Sequence, residues 1–383
     1  MRTLIARFAA AAMLVGSCLP AAAETGVTKD KIILGSFLPL QSGLAAGAVQ
    51  LREGADSYFR WINDNGGIHG RKIEWIVEND SYNPQQALAV SRKMVDRDGV
   101  FAIVSTIGTV TNLAALPFLS QRGVPVINPA GSNEKLNAPT EKEVFGMLPV
   151  GQRIGESMAG YALDKLGAKK VAIFYQNDQF GKDQRDGAVD FLTKRGIKPV
   201  GEASYVPSDV DVSAQAAALR NTAPDVVLMF TIVKQGALLL KEAEKTGWKP
   251  KFIAMNTMGD PILGELAGSA AEGLIINIMT AVDTMDNPAV KQANEILAKY
   301  YPNTRPGYYT YLGTAGAIAF HKAAEKVGPD LTRAKLISAL ESLGRWEPGV
   351  VPPLDWGPGK HSGPTTFGYV VWEGGKLKVL EAW

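Results

Sequence analysis

Short apolar runs alternate with stretches of helical spacing along most of the chain, and the series occurs twice. The first set of strand candidates is KIILGSF (31–37), KIEWIVEND (72–80), GVFAIVS (99–105) and VPVINP (124–129). The second is KKVAIFYQN (169–177), DVVLMFT (225–231), KFIAMN (251–256) and GLIINIM (273–279). Between them apolar residues fall on one helical face, as with Leu51, Ala55, Tyr58 with Phe59, and Ile62. Asn83, Pro84 and Gln86 supply an N-cap, a first-turn proline and a capping-box partner. Strands joined through helices lie parallel, and nearly continuous apolar strands need helices on both faces. The pattern predicts two α/β lobes, near 30–145 and 165–280.

The chain changes character after residue 281. Helical stretches are expected at 287–300, 308–326 and 332–343, followed by the Pro/Gly-rich WEPGVVPPLDWGPGKHSGP. A last strand pair, FGYVVWEGGKLKVL, turns at Gly374-Gly375. Such a tail must return to lobes that are already complete, so the chain crosses between them more than once. Several crossings make a hinge. The cleft then faces the C-terminal ends of both sets of strands, where ligands of such sheets bind.

The first residues read as an export signal. Arg2 and Arg7 precede an apolar stretch too short to span a bilayer, and Ala21-Ala22-Ala23 precedes Glu24. Cleavage is expected after Ala23, giving a free exported protein; Cys18 in LVGSC offers the less favoured alternative of a lipid anchor. Cleavage removes the only cysteine, so an ordinary core must hold the exported chain rather than disulfides. Roughly 360 remaining residues suit two domains better than one. The whole chain has 40 Lys+Arg and 38 Asp+Glu, and the signal takes two arginines with it. The balance gives no electrostatic reason to expect nucleic acid or an anionic membrane as partner. No later segment has 18 consecutive apolar residues, so no membrane span is expected.

Catalytic and metal patterns are missing. His69, His321 and His361 are far apart in sequence, and HExxH, GxSxG, Walker and GxGxxG motifs are absent. No metal or cofactor is expected, and His69 reads as a turn residue at the surface. Asp178 and Asp183, in QNDQFGKDQRDG, could be a carboxylate pair of the glycosidase kind, but read more simply as solvated residues that start a helix. The stretch STIGTVTNLAALPFL (105–119) holds Thr106, Thr109 and Thr111 where a strand gives way to a helix. Capping explains hydroxyls there; so does a carboxylate held by free N–H groups at the helix start.

The segments SFLPLQSG, NDNGGIHGRKIEWIVENDSYNPQQA, GVPVINPAGSNEKL, VAIFYQNDQFGKD and AGSAAEGLI, in this order, resemble the periplasmic solute-binding proteins of branched-chain (hydrophobic) amino-acid ABC importers. The resemblance spans essentially the whole mature chain. It implies a type I periplasmic binding fold: two Rossmann-like lobes joined by a three-segment hinge, with a ligand enclosed between them. Crossings are placed near 146–151, 279–284 and 345–350. Lobe 1 is then 24–148 with 282–347, and lobe 2 is 149–281 with 348–383. Ile107, Gly108 and Thr109, with Ala130, Gly131 and Ser132 on the next loop, match positions that hold the ligand carboxylate. Phe180 matches a covering aromatic, and Ile232 (or Val233) and Tyr311 match an apolar wall.

Two positions depart from the family pattern. Amino-acid-binding members carry an acidic partner for the ligand ammonium, and the matching position in FIAMNTMGD is Asn256, with Asp260 nearby. An amide cannot neutralise a buried ammonium, and an unpaired buried charge costs several kcal/mol. The loop QSGLAAGAVQ also lacks an aromatic usual near its end. The expectation is a monomeric, non-enzymatic receptor for a small carboxylate, either a hydrophobic amino acid or an aromatic or other organic acid, working with a membrane permease. A ligand-sensing module on the same fold is the alternative reading, and an exported hydrolase a remote one.

Overall fold

The computed structural model describes residues 24–383; the expected signal segment and Cys18 lie outside them. The first sheet contains β1 (Lys31–Leu38), β2 (Lys72–Asn79), β3 (Ala102–Ile107), β4 (Val126–Ala130) and β5 (Val144–Phe145). Its order is β2-β1-β3-β4-β5, all parallel. The second lobe contributes β6 (Val171–Gln176), β7 (Gly201–Tyr205), β8 (Val226–Phe230), β9 (Lys251–Ala254) and β10 (Ile275–Ile278). A small antiparallel pair follows, β11 (Gly344–Trp346) and β12 (Leu354–Trp356). The chain ends with β13 (Gly368–Glu373) and β14 (Lys376–Glu381). The second sheet runs β14-β13-β10-β9-β8-β6-β7, with β13 and β14 antiparallel additions.

Burial explains which strands are apolar throughout. β3, β4 and β8 are buried at every position, as strands covered on both faces must be. β7, GEASY, lies at the sheet edge and is mostly half-exposed, so its apolar signal is weak. β5 is only two residues long. The sequence reading omits both.

The tail belongs largely to the first lobe. The helix Tyr308–Val327 lies on the helix Ala45–Asp64, and the two backbones meet at glycines. A Cβ at Gly54 would sit 2.1 Å from the Thr310 carbonyl oxygen, and one at Gly313 would sit 2.1 Å from that of Leu51. Edge-on contacts of Phe320 with Phe59 and Phe101 close the core beneath. Trp346, Val350, Val351, Leu354 and Trp356 join the same core. His361 is buried, stacks on Phe145 at 4.0 Å, and lies within hydrogen-bond distance of the Val144 carbonyl and Glu341. The Gly363 N–H still donates to Asn137 of the first lobe, whereas β13 is paired with β10 of the second. The last crossing therefore falls near 363–368, not at the expected 345–350. The Pro/Gly-rich run concealed this, because β11 and β12 are three residues each. Residues 348–362 accordingly pack with the first lobe.

The lobes are closed on each other. Tyr82 Oη donates to Asp178 Oδ2 (2.9 Å), Ser132 Oγ to the Phe180 carbonyl (3.0 Å), and Asn133 Nδ2 to Asp183 Oδ2 (2.9 Å). Each bond joins a loop of the first sheet to the β6–helix junction of the second. No helix among the described residues is long and apolar enough to cross a membrane.

Candidate functional site

The turn after β3 is built for close approach. Gly108 has φ 120°, a conformation that L side chains rarely adopt, and a Cβ there would lie 2.3 Å from Thr111 Oγ1. The helix Thr109–Gln121 follows, and no side chain caps it. The hydroxyls are engaged elsewhere. Thr111 Oγ1 donates to the carbonyl of Ile107 or Gly108, and Thr106 Oγ1 donates to Asn112 Oδ1 (2.6 Å). Thr109 Oγ1 accepts from the Ser132 N–H (3.0 Å), tying the β3 turn to the β4 turn. The capping explanation for this cluster is not what the fold uses. The positive end of the helix remains directed at the cleft.

Those two turns form one side of a void between the lobes. Voids where two lobes meet are common places for small ligands. Ile107, Gly108, Thr109, Ala130, Gly131 and Ser132 line it from the first lobe, joined by Leu44, Tyr82 and Leu148. Ile154, Phe180, Ile232, Met255, Asn256 and Thr257 face them from the second. Tyr308 and Tyr309, at the start of the tail helix, complete the lining. Among these residues there is no Lys, Arg, Asp, Glu or His.

Nine of the ten residues expected at the site therefore border one space. Tyr311 does not. It is buried in the first-lobe core and its hydroxyl donates to Asn294 Oδ1 at 2.9 Å. It stands one turn along the helix, about 4.5 Å deeper than Tyr308. Tyr308 and Tyr309 hold the wall instead; Gly47 leaves room for the Tyr309 ring, which a Cβ would meet at 2.5 Å.

Asn256 is almost fully buried and its Oδ1 has no hydrogen-bond partner. The Tyr308 hydroxyl sits beside its amide, and burial holds that phenol well above its usual range, so it is a proton donor at neutral pH. Asp260, the nearby acid, does not line the void. It is buried where it accepts from the Ile262 N–H (3.1 Å) and lies against the Tyr309 N–H. Burial raises its carboxyl to about 6 against those hydrogen bonds.

Asp178 and Asp183 are not the solvated pair expected. Asp178 caps the helix Gln179–Lys194 while accepting from Tyr82 and from Gln176 Nε2 (2.6 Å). Asp183 is 4% exposed and accepts from Asn133 and from Gln179 Nε2 (2.7 Å). Burial pushes its carboxyl up, those amides oppose the shift, and both acids are committed to lobe-to-lobe contacts. His69 is partly exposed and lies 2.9 Å from the Glu325 carbonyl, as a turn residue at the surface can. Among the described residues no His/Cys/Asp/Glu group could hold a metal ion.

Tyr82 is one of the lining residues not expected from the sequence, with Leu44, Leu148, Ile154, Met255, Thr257, Tyr308 and Tyr309. Ser81 and Tyr82 have φ 51° and 59°, fixed by Asn79 Oδ1 and Asp80 Oδ1, which accept their N–H groups at 3.0 and 2.8 Å. Its place just beyond a parallel strand was the available signal.

The family described as periplasmic binding protein matches residues 31–376. A Leu/Ile/Val-binding protein homolog from Brucella melitensis is 26% identical over 351 residues, 91% of this chain and 94% of its own. A branched-chain amino acid transporter substrate binding protein from Streptococcus pneumoniae, solved with isoleucine, superposes with TM-score 0.81 at 18% identity, covering 92% of this chain and 100% of its own. An ABC-transporter solute binding protein from R. palustris, solved with benzoate, superposes with TM-score 0.83 at 20% identity, covering 92% and 96%.

Proposed function

The chain belongs to the periplasmic binding protein family, as a solute-binding protein of the branched-chain amino-acid ABC-transporter type, and from that premise we propose that it captures a small organic acid lacking an ammonium group. The carboxylate lies against Gly108, Thr109, Gly131 and Ser132, where the free proton of the Thr109 hydroxyl and helix-start amides converge while Ser132 bridges the lobes beside it. Its apolar body fits among Tyr82, Phe180, Ile232 and Tyr309. The protein acts in the periplasm as a monomer and hands its cargo to a membrane permease when closed.

One observation carries the choice of ligand: no acid borders the void, and the unpartnered polar atom on its second-lobe side is the amide oxygen of Asn256, the Thr257 hydroxyl donating to the Thr231 carbonyl. An amino-acid ammonium enclosed there would be a buried unpaired charge, costing several kcal/mol. The Asn256 oxygen suits a neutral donor such as a hydroxyl. The fold leaves the choice open, since similar structures hold isoleucine in one case and benzoate in another.

A thermal-shift comparison of benzoate, 4-hydroxybenzoate and L-leucine tests this, because tight ligands raise the melting temperature by mass action. The acids are expected to stabilise the protein and leucine to have little effect. Asn256→Asp should reverse the order by giving an ammonium its counter-charge. A strong leucine shift in the wild type, with none from the acids, would refute the assignment.

A further inference from the structure

The loop after β2 does more than border the void. Tyr82 faces the space between the lobes with its ring, while its hydroxyl reaches across to the second lobe. There it donates to Asp178 Oδ2 at 2.9 Å and accepts from Gln176 Nε2 at 3.2 Å. The receiving groups are already organised within the second lobe. Gln176 Nε2 also donates to Asp178 Oδ2, and Gln176 Oε1 accepts from Tyr205 Oη (3.1 Å). Tyr205 Oη in turn accepts from Thr231 Oγ1 and from the Ile232 N–H, both at 2.9 Å. The chain of bonds thus runs beneath the cleft from Tyr82 to the backbone of Ile232, itself a lining residue.

We infer that Tyr82 is the closure latch of the clamp: a residue whose ring senses the occupant and whose hydroxyl locks the lobes onto a preformed acceptor pair. This rests on the clamp reading above. Three features support the assignment. The bond joins a phenol to a carboxylate, and charge-assisted bonds of this kind are stronger than neutral ones. Ser132 also bridges the lobes, but onto a backbone carbonyl, and Asn133, which bridges onto the Asp183 carboxylate, does not line the void. The hydroxyl must also be a donor, and burial, followed by the Asp178 charge, holds the phenol protonated. Finally, two consecutive non-glycine residues with positive φ are uncommon, and the side chains of Asn79 and Asp80 impose that turn on Ser81 and Tyr82. Opening the lobes breaks the Tyr82 bonds but leaves those within the second lobe intact.

The test follows the distance between lobes. The described residues contain no cysteine, so Glu134→Cys and Lys182→Cys, both exposed and on facing rims, can carry a spin-label pair. The distance distribution is recorded without ligand, with benzoate and with L-leucine, for the otherwise native protein, for Tyr82→Phe and for Asp178→Asn. Tyr82→Phe keeps the ring and loses the hydroxyl; Asp178→Asn keeps a capping side chain and loses the charge. The closed-to-open ratio should fall about tenfold or more in Tyr82→Phe and less in Asp178→Asn, with melting temperatures of the ligand-free proteins unchanged. If benzoate fails to close the native protein but Tyr82→Phe still lowers the ligand-free closed fraction, the latch stands and the ligand assignment falls. If benzoate closes both proteins equally, the ligand assignment stands and the latch falls. A native protein that stays open in all three conditions overturns the latch as well.

Discussion

Asp80 shows how much a single buried group can set. It is fully buried just before the loop of Ser81 and Tyr82; its Oδ1 accepts from the Tyr82 N–H and its Oδ2 has no partner. Burial lifts its carboxyl to about 7, against the opposing bond from the Tyr82 N–H. The folded protein therefore holds a proton that the unfolded chain gives up near pH 4. Below that both forms are protonated and nothing is lost. As pH rises toward 7 stability falls, by on the order of 4 kcal/mol in total, and is then level. Asp260 adds a smaller slope of the same sign between about 4 and 6. Asp80→Asn keeps an oxygen for the Tyr82 N–H and cannot ionise. Urea denaturation at pH 4.5, 6 and 8 should show this variant gaining on the wild type as pH rises; parallel curves would contradict it. Residues of this kind are hard to read from sequence. The hydroxyls of 105–119 stand out because several cluster at a strand–helix junction, whereas Tyr82 sits in a polar loop and acts through a turn that side chains impose.

At the scale of elements, the interior strands and the helices between them were legible, because burial on both faces leaves continuous apolar runs. Edge strands such as β7 were not, since one row of their backbone groups and much of their side-chain surface meet solvent. The third crossing was misplaced for a related reason: β11 and β12 are too short to show periodicity, and the tryptophans that fix them to the first lobe act through long-range packing. Glycine was legible at turns but not in helix contacts. The helices Gly151–Gly160 and Gln179–Lys194 meet through Gly155 and Gly187. A Cβ at Gly155 would lie 1.9 Å from the Gln184 carbonyl oxygen, and one at Gly187 would lie 2.1 Å from that of Gln152. The obstacle is backbone, which cannot swing aside. Gly155→Ala should therefore destabilise the protein by about 3 kcal/mol, despite the better helix propensity of alanine. A change under about 0.5 kcal/mol in chemical denaturation would show that the helices separate freely.

The whole molecule is two α/β lobes whose chain crosses between them and whose facing loops carry polar groups bonded across the seam. In the clamp proposed above, an occupant biases the balance only through its preference for the closed form. The order of segments along the chain made this architecture readable. Chemistry within the cleft was less so: the hydroxyl and amide side of the site follows from the turns after β3 and β4, while the wall depends on which of three neighbouring tyrosines stands in the first helical turn. Those turns are proposed to hold a carboxylate. The most direct measurement is calorimetric titration of matched pairs, benzoate with benzamide and 4-hydroxybenzoate with its amide, into the wild type and a Thr109→Val, Ser132→Ala double variant. The acids alone are expected to bind, weakened about tenfold or more in the double variant by loss of the Thr109 hydrogen bond to a charged group and of the Ser132 bridge between the lobes. Amides that bind as tightly as their acids, or acids indifferent to the two substitutions, would contradict it.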